Sequence, residues 1–400
     1  MNKYKNHAVI CGSYVNALGL ARSLGAEGIA VTVIDYTKNI SFYSKYVHGI
    51  VCPKPDEDEE GFISFLIDLG HRFDEKPVIF VTNDIWLIPV SRNGERLSKY
   101  YHIPMSDWEI IKQCSDKTYM YKIAEENNIP YPKTLFLEKS SQFLKKEHSL
   151  KYPVILKPSV TIGFSEKLKS YGRSLEFKDQ SSAENWIDKI RNAQLDDVPV
   201  VVQEMIPGGA ENLFTFTSYS RKGGETVAYS TGHKIRQSPP HAGTIISGHV
   251  IPNKDVIENG INVIKKMKFD GIANTEFKYD HRDGLYKLIE INPRPGMWNF
   301  SVMASGINLP LYAYLDSLGI DYKPVKSSDK ELNWVFWSSD LYYSLFGFKK
   351  MGFPEYSLTL CSWWKSLKGK KVSAVFSLMD IKPALFLFSS FFYSKLKRFF

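Results

Sequence analysis

Residues 285–297 read Leu285-YKLIEINPRPGM, and this string decides how the rest of the chain is understood. An apolar run with a strand's composition ends in Glu290-Ile291-Asn292, and two prolines then stop any further pairing. Glu290 and Asn292 are two apart on that strand, so both side chains leave the same face. Arg294 follows at the strand exit, where a guanidinium can meet a phosphate or carboxylate through two parallel hydrogen bonds. A charged strand end capped by prolines is the plainer alternative, but Glu-x-Asn followed by Pro-Arg-Pro-Gly is an unusual way to build one. Glu276, in Asn274-TEFKYD, adds a second carboxylate from a neighbouring strand. Glu276, Glu290 and Asn292 then form an all-oxygen set suited to Mg²⁺ (or Mn²⁺), which prefers carboxylates shared with a substrate's phosphates.

Two upstream pieces fit a nucleotide. Lys157, in Tyr152-PVILKP, closes an apolar strand, so its stem can stay packed while its ammonium reaches a phosphate. Val200-VVQEMIPGGA-Glu211 is a strand running into a Gly-Gly turn. There the main-chain groups of Glu204, Met205 and Ile206 are expected free to bond an adenine edge, and Glu211 to take ribose hydroxyls. Taken singly, each piece reads equally well as an ordinary strand end or turn; their order and spacing carry the weight.

Around these motifs the chain divides into three. Residues 1–107 alternate strand and helix: His7-AVICG-Gly12, a helical Tyr14–Glu27, Gly28-IAVTVID-Asp35, a helical FISFLIDLGHRF and Pro77-VIFVT-Thr82. That alternation implies a parallel α/β lobe. Residues 108–322, opening on Ser115-DKTYMYKIAEENNIPYPKT, read as a mixed α+β body. Residues 323–400 are an aromatic and basic extension, with WVFWSSDLYYSLFGF, WWKSLKGKK and ALFLFSSFFYSKLKRFF.

These motifs resemble the ATP-grasp superfamily in order, spacing and residue type over about residues 5–320, and within it the carboxylate–amine ligase branch of D-aspartate ligase type. The resemblance implies an ATP-grasp fold behind an N-terminal α/β substrate lobe. It implies an ATP-dependent ligase that forms a carbon–nitrogen bond through an acyl phosphate. Lys117 matches the lysine that opens the family's central domain, and Lys157 its second ATP lysine. Gln203 to Ile206 look like the adenine hinge and Glu211 like the ribose acid. Glu276, Glu290 and Asn292 correspond to the metal ligands, with Arg294 on the transferred phosphoryl group or substrate carboxylate. Gly232-HKIRQSPPHAGT-Thr244 is similar to the Lys-x-Arg-Gln stretch of amino-acid-ligating members. Lys234 and Arg236 flank Ile235, so on a strand both are expected on one side, ready to steady a tetrahedral oxyanion. His233 and His241 are expected to be structural. Two departures stand out. The phosphate-covering loop after Lys157 holds only Gly163 and Gly172, and the D-alanine ligase branch often has arginine where this chain has Asn274.

Other classes are weighed on the same residues. Gly12-SYVNALGLA with Asp35 imitates a dinucleotide fingerprint but lacks its G-x-G. A bicarbonate-activating, biotin-carboxylase-like enzyme would share the nucleotide site, and a non-catalytic nucleotide-binding protein would keep part of it. The four cysteines are scattered and are expected to be buried thiols of a cytoplasmic protein. The net charge of +8 is lopsided, with ten Lys or Arg against four Asp or Glu from residue 331 onward. A nucleic-acid face spread over the chain is therefore not expected. The tail has two readings: a helix closing on the catalytic body, or a peripheral contact with the inner membrane face. The second makes a cell-wall or capsule precursor the substrate to name. A homodimer is a further expectation, since many relatives form one.

Overall fold

The structure, a computed structural model, describes residues 4–145, 149–160, 175–192, 199–240 and 243–396, with side chains to residue 390. Gly163, Gly172 and His241 lie outside the described residues.

Short β-branched runs ended by glycine or polar residues build the first sheet. Its strands are β1 (Ala8–Cys11), β2 (Val31–Asp35), β3 (Val47–Val51) and β4 (Val78–Val81), all parallel in the order β3-β2-β1-β4. The helix Val15–Gly25 follows β1 and is almost wholly buried, which explains its continuous apolar composition. The helix Glu59–Gly70 starts on Asp58, whose carboxylate accepts from Gly61 N–H at 2.8 Å. β3 and the helix Asp84–Arg92 are not anticipated by the strand–helix alternation.

A second four-stranded sheet is antiparallel in the order β5-β8-β6-β7, from β5 (Thr134–Leu137), β6 (Val154–Pro158), β7 (Leu175–Phe177) and β8 (Val200–Glu204). It packs its own core, including Phe143, Phe177, Ile187 and Val202. The third sheet runs β13-β12-β9-β10-β11-β14-β15. Its members are β9 (Leu213–Arg221), β10 (Glu225–Ser238), β11 (Thr244–Val250), β12 (Gly271–Asp280), β13 (Leu285–Asn292), β14 (Leu332–Val335) and β15 (Lys371–Ser373). The α/β and α+β architecture expected from the sequence is therefore present.

One core spans the first and third sheets, with Val9, Cys11, Trp86 and Leu87 packed in continuity with Phe216, Phe269, Phe277 and Ile291. The last two strands come from the C-terminal extension, so this segment completes the large sheet instead of trailing from it. Two buried carboxylates fasten it further. Asp340 accepts from Arg236, Ser247 and Trp363, and Asp380 from Arg22, Ser44 and the N–H of Lys45. Cys11, Cys52 and Cys114 are buried, whereas Cys361 is exposed, against expectation, because its short helix lies on the surface of the extension. Burial pushes the Cys52 and Cys114 thiols up to about 12, which keeps both unreactive. Among the described residues no helix is long and apolar enough to cross a membrane.

Candidate active site

β12 and β13 pair antiparallel with Glu276 directly opposite Glu290 and Asn274 opposite Asn292. A register of this kind places the two carboxylates side by side on one face. Such closeness is tolerated only where cations divide the charge. Lys234 Nζ stands 2.9 Å from Glu276 Oε2 and 3.2 Å from Gln237 Oε1. Asn292 Nδ2 donates to Glu290 Oε1 at 2.8 Å, while its oxygen accepts from Arg294 at 3.2 Å. Burial and the neighbouring Glu290 hold the Glu276 carboxyl above its ordinary range, Lys234 opposing them. For Glu290 burial pushes the same way, but the Asn292 hydrogen bond and the charges of Lys234, Lys117 and Lys157 outweigh it and lower its pKa.

Lys157 closes β6, and burial lowers its pKa against the opposing pull of Glu290 and Glu276. Lys117 opens the helix Lys117–Glu126, which is capped by Asp116 accepting from Thr118 N–H at 2.8 Å. Burial first, and Lys157 second, bring Lys117 down to about 8. Lys278, two residues beyond Glu276 on β12, is a third such lysine. Burial lowers it, Glu211 opposes the shift, and Lys157 adds to it. Sequence reasoning passed over Lys278, although it stands in the same TEFKYD string and the two-residue strand period singles it out.

The structure brings Lys117, Lys157, Lys234, Glu276, Glu290, Asn292 and Arg294 into one electrostatic neighbourhood. Arg294 is gripped by Asp84, with Nε at 2.7 Å from Oδ1 and Nη2 at 3.3 Å from Oδ2. This second omitted residue carries no local signal, since it lies 210 positions away in the chain.

Two expectations, free hinge N–H groups and an Arg236 beside Lys234, are corrected. The N–H of Glu204 donates to Lys133 O at 3.0 Å and that of Met205 to Pro153 O at 2.9 Å, so neither is free for an adenine edge. Sheet pairing simply continues past the end of β8. The carbonyls of Ile206 and Gly208 take Lys278 Nζ at 2.7 and 2.8 Å, which pins the turn to β12. Gly208 holds φ of +90°, and a Cβ there would collide with Asn212, so the turn requires glycine. Gln203 turns its side chain into the core, donating to Thr134 Oγ1 at 2.8 Å and accepting from Tyr121. Glu211 is exposed and accepts from Gly209 N–H at 2.9 Å. Arg236 does not join Lys234. Irregular register on either side of it turns it away, and Asp340 binds it through two 2.7 Å contacts, with Ser366 on Nη1.

The donor set fits a hard divalent cation. Glu276 Oε1 and Glu290 Oε2 take no hydrogen bond from a described residue, and a half-turn of the Asn292 amide would add its oxygen. A groove of about 620 Å³ lined by His7, Lys45, His48, Arg72 and Phe73 lies on the first sheet, away from these carboxylates. Its size does not outweigh the chemistry of the charged cluster.

A parallel α/β lobe, an antiparallel lysine-bearing sheet and a large sheet with paired carboxylates together define the ATP-grasp fold. The chain has the ATP-grasp fold. It is related to the D-aspartate ligase of Enterococcus faecium, at 28% identity over 337 residues, 79% of this chain and 78% of that one. In fold it is similar to the L-amino acid ligase of Bacillus licheniformis, with a TM-score of 0.60 and 17% identity, over 82% of this chain and 76% of the other. The biotin carboxylase of Campylobacter jejuni, solved as a beta-gamma-ATP complex, gives a TM-score of 0.62 at 15% identity, over 80% and 73%. No protein-family model matches the chain.

Proposed function

We propose that this chain is an ATP-dependent amino-acid ligase that joins a carboxylate to an amine through an acyl phosphate. The observation that carries the proposal is the buried surplus of cations around two facing carboxylates. Lys117, Lys157, Lys234 and Arg294 surround Glu276 and Glu290, and burial weakens the protonation of Lys117 and Lys157. A site of that kind stands ready for a polyanion, and a triphosphate supplies the missing negative charge. The relationship to D-aspartate ligase favours an amino acid as the carboxylate donor.

The chemistry follows from the charges. A free carboxylate has no adequate leaving group; phosphorylation by ATP provides one, and amine attack then expels phosphate. Lys117 and Lys157 hold phosphate oxygens, while Arg294, steadied by Asp84, holds the transferred phosphoryl group or the donor carboxylate. Lys234, on β10 with its amine against the Glu276 carboxylate, is placed for the oxyanion that forms during amine attack. Mg²⁺ or Mn²⁺ on Glu276, Glu290 and Asn292 would neutralise phosphate charge as the bond to the leaving group lengthens. Arg236 has no part in this scheme, because Asp340 already occupies it. The acceptor we carry forward is an amine on a cell-wall or capsule precursor, which the aromatic and basic extension favours.

ATP turnover with Mg²⁺ and hydroxylamine across a panel of amino acids tests the proposal. Hydroxamate should form with one carboxylate and fall at least about a hundredfold in Glu290→Gln. Bicarbonate-dependent turnover without hydroxamate would replace it with the carboxylase reading.

A further inference from the structure

We propose that the C-terminal segment is a docking surface for an anionic lipid bilayer, an inference independent of the catalytic reading. The helix Lys382–Leu396 presents two faces of opposite fate. On one, the Phe386 ring stacks on Tyr43 at 4.0 Å, and Ala384 and Leu387 pack on the core that includes Trp298 and Trp334. The opposite side carries Ile381, the residue before the helix, and Leu385, which are 43% and 58% exposed. Their spacing of four residues aligns them in one stripe. The loop leading into the helix adds Leu378 at 84% and Met379 at 73% exposed. A helix facing only water places charged residues there, and a contiguous apolar stripe of this kind marks an interaction surface.

The charge around the stripe selects the partner. Lys365, Lys368, Lys370 and Lys382 are exposed, and beyond Glu355 the sequence holds a single acid, Asp380. That acid is 3% exposed and already committed: it accepts from Arg22 Nε at 2.9 Å, Ser44 Oγ at 2.8 Å and Lys45 N–H at 2.8 Å. The same bonds fix the loop that projects Leu378 and Met379 outward. Two copies meeting through this surface would press like charges together. An anionic bilayer offers both what the stripe lacks, apolar burial, and what the lysines lack, counter-charge.

The full-length protein is sedimented with phosphatidylcholine vesicles, with and without phosphatidylglycerol, at low and high salt. Wild type should pellet with the anionic vesicles at low salt and be released by high salt. The triple variant Leu378→Ser, Met379→Ser, Leu385→Ser should bind at least about tenfold less. These side chains are exposed and away from the carboxylate pair, so the circular dichroism spectrum and thermal melt of the variant should match wild type, which reports that it is folded. Absence of wild-type pelleting, or equal pelleting of wild type and variant, overturns the proposal. So does a concentration-dependent dimer abolished by the triple variant without vesicle binding, which would assign the stripe to a second copy.

Discussion

Asp340→Ala should loosen the C-terminal extension and destabilise the whole chain, and the size of the effect follows from the bonds its carboxylate accepts. Asp340 is fully buried and receives four hydrogen bonds: two from Arg236 at 2.7 Å, one from Ser247 Oγ at 2.8 Å and one from Trp363 Nε1 at 2.7 Å. Removing the carboxylate strands a guanidinium whose side chain is only 10% exposed. Breaking one partner of a buried ion pair costs about 3–5 kcal/mol, most of it the penalty of the uncompensated charge. Removing both partners avoids that penalty. Asp340→Ala combined with Arg236→Met should therefore be more stable than the sum of the single effects by about 2–3 kcal/mol. Urea unfolding followed by tryptophan emission is the assay, since Trp337, Trp363 and Trp364 cluster around this ion pair. A single-variant loss below about 1 kcal/mol, or strict additivity in the double variant, would refute the reasoning.

Lys117, held at about 8 by burial and by Lys157, should make the affinity for Mg-ATP depend on pH. Above that value the free protein has lost the lysine charge and binding must take up a proton, so affinity should fall by up to about tenfold per pH unit. Titration calorimetry in buffers of different ionisation enthalpy measures the uptake, and Lys117→Arg should flatten the profile. If Lys117→Arg retains the full decline, another group is responsible. Asp270 offers a separate linkage. Burial, then Asp107, raise its carboxyl to about 6 from an ordinary 3.8, so the folded state holds the proton more tightly than the unfolded one. Stability from this group is present below pH 4 and is lost as pH rises through about 6. Asp270→Asn should therefore be more stable than wild type at pH 7 by about 1–2 kcal/mol, after allowing for its partial exposure, and equal to it near pH 4. Thermal melts across that window decide the matter.

Much of the architecture was legible because its signals are local. β1, β2 and β4 are short apolar runs ended by glycine or a polar residue, and the helix Lys117–Glu126 announces itself through Asp116 at one end and Asn127-Asn128 at the other. The facing of Glu276 and Glu290 needed only strand periodicity plus the assumption that their strands are neighbours. β3 was missed because Val47-HGIV is a half-exposed edge strand, without the continuous apolar run of the others. The extension misled for a related reason. Its composition describes both a packed segment and an interfacial one, and the structure places packed and exposed faces on the same helix.

The residues that sequence reasoning misplaced share a cause: the partner that decides their role lies far along the chain. Lys234 and Arg236 are two apart on a strand, and periodicity alone puts them together. Yet Lys234 meets Glu276, 42 positions on, and Arg236 meets Asp340, 104 positions on, because irregular pairing between β10 and β11 breaks the alternation between them. One cation therefore stays with the carboxylates, and its neighbour becomes the anchor for the C-terminal segment. The same strand thus connects the paired carboxylates to the extension, with Ile235 between the two charges packed against the cluster of Val335, Trp363 and Leu367. Loosening that anchor should disturb the placement of Lys234 before it disturbs Lys117 or Lys157, which stand on other elements. In Asp340→Ala, the step that depends on Lys234 should accordingly weaken more than nucleotide binding. Parallel measurement of Mg-ATP affinity and hydroxamate turnover in that variant separates the two, and an equal loss in both would mean that the anchor supports the fold alone.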